Sequence, residues 1–241
     1  MAATRGSLIS EAVGSAFLVL AVVGSSLAIE RNGPMSAGLS LLVQSLVVGA
    51  ILTGLLVGLG DAAARFNPAV SLFLALKRQL PFSSLPALFS VQFAGALVGL
   101  LLTHLIFDEA FIEWGQRARF GPTLWLSEVV CTFGFLIVLE GALGAGRLGL
   151  AIALGAYAAG ALFCFPSGGF ANPALTVGRS LTNTFASLRP VDVLPYCLAQ
   201  WVGAFLAAAF VRLLVPPRAG NTNKSASHNP EEVPPPLTHG R

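Results

Sequence analysis

The sequence predicts an all-α membrane protein with six spanning helices and two shorter helices that enter and leave on one face, arranged as two inverted repeats. Three observations carry that prediction. Hydrophobic residues make up 55% of the 241 residues and charged residues only 10%, with a mean hydropathy of +0.77, too apolar for an ordinary soluble domain. Long uncharged runs recur along the chain at the length of roughly 17–25 residues that crosses hydrocarbon as a helix. The tripeptide Asn-Pro-Ala occurs once in each half, at Asn67-Pro68-Ala69 and Asn172-Pro173-Ala174.

The spans are read at 8–29, 37–59, 85–107, 122–143, 148–166 and 193–215. The apolar run from Leu8 is longer than the core of a cleavable leader and lacks a small-x-small site after it, so it is expected to remain as the first span. Between spans two and three, Ala69 to Leu76 is apolar but too short to cross, and Ala174 to Leu181 repeats the pattern between spans five and six. Asn is a good helix N-cap, and Pro suits the first helical position because its missing N–H would have lacked a partner there. Each tripeptide therefore starts a half-helix abruptly. Residues 1–215 form one transmembrane domain; beyond Val215 the chain turns polar and Pro-rich, and 216–241 is expected to be a disordered tail.

The repeat extends beyond the tripeptides. Ser10-Glu11 corresponds to Ser127-Glu128, and Gln92-x-x-Gly95-Ala96 to Gln200-x-x-Gly203-Ala204, in the same order in repeats of about 8–107 and 122–215. Three crossings per repeat force the second to enter from the opposite side, which relates the repeats by a pseudo-twofold axis in the membrane plane. The two half-helices then meet N-terminus to N-terminus near the midplane, with Asn67 and Asn172 facing one lumen. Arg5, Arg65, Lys77, Arg78, Arg147, Arg212 and Arg218 fall on one face and Arg31, Arg117, Arg119, Arg179 and Arg189 on the other, a bias that puts both termini in the cytoplasm. The pI near 9.1 comes from scattered charges without a basic stripe, so nucleic acid is not an expected partner.

In these paired motifs, over residues 8–215, the chain resembles the major intrinsic proteins, the aquaporins and aquaglyceroporins. The stretch Phe170 to Phe185 is most similar to bacterial aquaglyceroporin-like channels associated with arsenic handling. The resemblance implies a passive channel in a cell inner membrane, a homotetramer with one pore per monomer, and water and small neutral solutes as cargo. It also implies a size filter outside the central barrier, carried over to Val47 or Val48, Gly160, Gly169 and Leu175. The family usually has Arg at the position of Leu175, so with two glycines opposite this filter is expected to be wider and more apolar than a water-selective one; it commonly has His at the position of Arg65.

The pore chemistry also follows from the residues. Two opposed half-helix N-termini create a positive potential that opposes cations, and the Asn67 and Asn172 amides can donate to a passing oxygen. Glu11 and Glu128 are costly in a bilayer and need partners. They are read as acceptors for the non-helical segments Asp61 to Phe66 and Ser167 to Ala171, with proton coupling as the alternative. Arg179, one helical turn beyond Leu175, either restores charge at the pore mouth or reaches for the interface. Arg65 either pairs with Asp61 or makes its mouth attractive to anions. Glu140 is read as interfacial, and Gly95 and Gly99, with Gly203 and Ala207, as helix-crossing points.

His104, His228 and His239 lack metal-ligand spacing, and Cys131, Cys164 and Cys197 lack a disulfide or zinc pattern, although Cys164 could approach the pore. No motif points to an enzyme, a metal or a cofactor. An ion-coupled transporter, which also uses inverted repeats and broken helices, is the alternative function, and a scaffolding protein with an occluded pore is a third.

Overall fold

The computed structural model describes residues 4–59 and 65–214, and these are all-helical apart from turns and loops. In chain order the helices are α1 (Arg5–Arg31), α2 (Ala37–Gly58), α3 (Pro68–Leu76), α4 (Leu85–Ile106), α5 (Pro122–Ala142), α6 (Gly146–Cys164), α7 (Pro173–Ser180) and α8 (Pro190–Leu214). Six of them are long and apolar enough to cross a membrane; α3 and α7 are the half-helices. The proposed tail, 216–241, and Asp61 lie outside the described residues. Following the crossings, α1 starts and α8 ends on one face, here the terminal face. The segment before α3 also enters from that face, and the segment before α7 enters from the opposite, distal face.

Each half-helix starts for a local reason. Asn67 and Asn172 are N-caps with extended backbone, and their Oδ1 atoms accept from Ala69 N (2.8 Å) and Ala174 N (3.0 Å). Pro68 and Pro173 occupy the first turn, where no N–H is missed. Four residues after each Asn a hydroxyl bonds back to its carbonyl: Ser71 to Asn67 at 3.3 Å and Thr176 to Asn172 at 2.8 Å.

The repeats pack in matching pairs, α1 against α4 and α5 against α8, with α2 against α6 across the pseudo-twofold axis. Small residues permit the close crossings. A Cβ at Gly95 or Gly99 would overlap the carbonyl oxygen of Ala12 or Ala16, and one at Gly203 would lie 2.6 Å from that of Val129. In lipid there is little hydrophobic drive between helices, so such backbone contact is a main source of association. Gly99→Val is therefore expected to abolish recovery of monodisperse protein in detergent. Gly54→Val, at a helical position with nothing within 4 Å, should leave recovery near wild type.

Candidate functional site

The centre of the molecule is built from the two loops that precede the half-helices. Phe66 and Ala171, the residues before each Asn, have φ of 49° and 45°, a left-handed conformation that costs a non-glycine residue about 1–3 kcal/mol and persists where the surroundings enforce it. Here the enforcement is visible. The conformation turns each residue's N–H toward a buried carboxylate and its carbonyl toward the other half of the molecule. Asn67 Nδ2 donates to Ala171 O and Asn172 Nδ2 donates to Phe66 O, both at 2.8 Å. Each amide nitrogen has two hydrogens, so the second N–H of each Asn is left over from this cross-bond. Oδ1 caps the helix, and the side chain is fixed at both ends.

Glu11 and Glu128 are fully buried and carry equivalent networks. Glu11 accepts from Arg65 N (2.8 Å), Phe66 N (2.7 Å) and Gln92 Nε2 (2.7 Å). Glu128 accepts from Phe170 N (2.9 Å), Ala171 N (3.0 Å) and Gln200 Nε2 (2.7 Å). The same glutamines reach the half-helices, Gln92 donating to Ser71 Oγ at 3.0 Å and Gln200 to Thr176 Oγ1 at 2.9 Å. Sequence reasoning missed Ser71 and Thr176. Their signal was present, since both stand four residues after the repeated Asn.

Around this centre runs a constriction of about 50 Å³ lined by Val48, Leu162, Leu175, Asn67 and Asn172, with Gly169 beside them. It opens on the terminal face into a vestibule of about 360 Å³ and is flanked on the distal face by one of about 660 Å³. Val48 is buried on this wall, whereas Val47 is 37% exposed on the outer surface. Gly160 is a correction: it lies on the exposed face of α6 with nothing around its Cβ position, and Ala161 stands at the constriction instead. One residue of offset turns a side chain by about 100° on a helix, and the non-helical segment after Cys164 hides that offset from simple counting. Phe135 and Tyr157, unmarked in the sequence, also line the constriction, with ring centroids 5.9 Å apart. Tyr157 is anchored by donating to Cys131 O at 3.0 Å.

The charged candidates divide between the two mouths. Arg65 lines both the constriction and the terminal vestibule. Its Nη1 lies 3.6 Å from Glu11 Oε1, so the buried carboxylate supplies a counter-charge, while the expected partner Asp61 lies outside the described residues. Arg179 is only 1% exposed and lines the distal vestibule. It does not extend toward an interface. Its Nε donates to Ala186 O at 2.6 Å, and its guanidinium carbon lies 3.3 Å from the Phe170 ring centroid. Arg119, overlooked as more than a topological charge, is buried beside it, donating to Ser167 O (2.7 Å) and Ser187 O (2.8 Å). Burial is the main influence lowering its guanidinium from the ordinary value.

The remaining candidates fall into structural places. His104 is buried, with Nε2 2.9 Å from Thr182 Oγ1 and Nδ1 2.6 Å from Ala110 O, tying the loop after α4 to the chain after α7. Cys164 is exposed at the distal vestibule, Cys131 lines the constriction and Cys197 is half-buried. Glu140, near the end of α5, pairs with Lys77. No group of three or more His, Cys, Asp or Glu that could hold a metal occurs among the described residues.

Comparison with known proteins agrees with this architecture. The family model described as Major intrinsic protein matches residues 2–147 and 139–233. The chain is 38% identical over 210 residues to Aquaglyceroporin AqpS of Rhizobium meliloti (strain 1021), covering 87% of this chain and 90% of that protein. It is 29% identical over 237 residues to Aquaporin NIP2-1 of Oryza sativa subsp. japonica, covering 91% of this chain and 75% of the relative. The X-ray structure of the aquaglyceroporin from Plasmodium falciparum superposes with a TM-score of 0.73 at 17% identity, over 88% of this chain and 97% of the other. At that identity the likeness concerns the fold.

Proposed function

This chain belongs to the major intrinsic protein family, and from that premise we propose a passive channel whose filter admits small uncharged solutes larger than water. That it is a membrane channel, not an enzyme, follows from the family. The observation that carries the finer reading is the wall of the constriction, where Leu175, Val48, Leu162 and Gly169 converge and Leu175 stands one turn before Arg179. A fixed guanidinium at that height would hold polar solutes and repel cations. Leu175 instead offers an apolar wall suited to glycerol, urea, metalloid hydroxides or methylated arsenicals. Asn67 and Asn172 form the central barrier, with one N–H of each amide for the passing solute. Glu11 and Glu128 hold the loops, and Arg65 and Arg179 sit at the two mouths.

The channel functions as a homotetramer in a bacterial-type plasma membrane with both termini cytoplasmic. Large exposed apolar side chains such as Phe17, Leu46, Leu105, Leu194 and Phe205 supply the surfaces for lipid and for neighbouring copies. Stopped-flow measurement of a panel of these solutes in proteoliposomes tests the reading. Flux should rise linearly with the solute gradient and ignore imposed proton or sodium gradients. Dependence on either ion gradient would replace the channel with an ion-coupled carrier.

A further inference from the structure

The distal vestibule contains more positive charge than a passage for neutral molecules requires. Arg117, Arg119 and Arg179 all line this cavity of about 660 Å³. Their guanidiniums take backbone carbonyls as hydrogen-bond acceptors: Arg117 Nη1 donates to Phe185 O (2.9 Å), Arg119 Nε to Ser187 O (2.8 Å) and Arg179 Nε to Ala186 O (2.6 Å). Three consecutive residues therefore orient three cations toward one space.

Among the described residues no carboxylate forms an ion pair with any of the three. Glu30 is the acidic side chain among the described residues of the lining, and it accepts from Phe185 N at 2.8 Å. Asp192 accepts from the Arg119 backbone N–H and pairs with Arg189, while Glu128 holds the loop N–H groups described above. Meanwhile Arg179, 1% exposed, has an Nη1 with no hydrogen-bond partner. A buried guanidinium N–H without an acceptor is costly, and a bound acceptor would remove that cost.

Guanidiniums fixed in position favour oxygens that carry negative charge and can accept two parallel bonds. We propose that the distal vestibule is a binding site for a small oxyanion, which occupies the pore entrance and slows passage of neutral solutes. The anion stops there because Leu175, Val48 and Leu162 on the wall of the constriction beyond offer it no donors. The slowing rests on the channel reading; the binding does not.

Titration of the detergent-solubilised full chain with inorganic phosphate at fixed ionic strength tests the site directly, and flux of a neutral solute in phosphatidylcholine vesicles tests the block. Saturable binding is expected, weakened at least tenfold in Arg179→Gln and in Arg117→Glu. Arg117 is exposed, so the second variant keeps the test alive if the first does not fold. Arg147→Glu, on the terminal vestibule, carries the same charge change as Arg117→Glu and should bind phosphate like wild type. Absence of saturable binding overturns the proposal, as does equal weakening by Arg147→Glu, which would mean diffuse attraction. Unimpeded solute flux at saturating phosphate overturns it too. Failure of facilitated flux without phosphate would instead count against the channel.

Discussion

Leu175→Arg should lower the ratio of solute to water permeation by about tenfold or more, one additional barrier of roughly 1.4 kcal/mol for the larger molecule. The physical reason is the size of the space. Leu175 is buried on the wall of a constriction of about 50 Å³, so a longer side chain must take volume from the passage. The opposite wall has little room to give, since the α6 backbone already crowds Gly169, whose added Cβ would come 2.7 Å from Ala161 O. A glycerol-sized solute then loses room and must exchange hydration for a charged donor, whereas water fits and is served by the donor. Measuring both fluxes on the same proteoliposomes separates filtering from poor insertion. An unchanged ratio in well-assembled protein would move the filter away from Leu175.

Glu11→Ala and Glu128→Ala should fail at an earlier stage, in assembly. Removing Glu11 strands the N–H groups of Arg65 and Phe66 and the amide of Gln92, at roughly 1–3 kcal/mol for each buried unpaired group. It also takes the counter-charge from Arg65. Removing Glu128 strands Phe170, Ala171 and Gln200 in the same way. Gln in either place keeps one acceptor oxygen but points an amide N–H at a donor, so its effect should be intermediate. Thermal unfolding in detergent, with yield of intact oligomer as the second readout, ranks the series. Alanine variants as stable as wild type would show that the loops are held by something else.

The architecture was legible in the sequence because its signals were duplicated. Two Asn-Pro-Ala starts, two buried acids and two Gln-x-x-Gly-Ala segments in one order have few common explanations, and the half-helices begin at Pro68 and Pro173 as that pattern implies. Span ends shifted by a few residues, since hydropathy fades gradually while helices end on hydrogen bonds. Features that depend on juxtaposition were not legible. Gly160 gave way to Ala161 because helix register crosses an irregular segment of unknown path. The Arg65–Glu11 pair joins residues far apart in the chain, so local spacing could not announce it. Arg119 and His104 gave no motif at all; each matters through carbonyls and a hydroxyl brought to it by loops on the distal face.

The crossed Asn67–Ala171 and Asn172–Phe66 bonds set an order of events in biosynthesis. When the ribosome has released the first repeat, α1 to α4 can insert, and Glu11 can collect its loop, but Asn67 has no acceptor until Ala171 has been made and threaded into place. The central element can thus close only once synthesis has passed Ala171 and Asn172 in the second repeat. Until then the first half-helix carries a cap held at one end, exposed to quality control as an unfinished polar loop within the membrane. A chain stopped after α4 would leave a set of inserted helices with an open seam where its twin belongs.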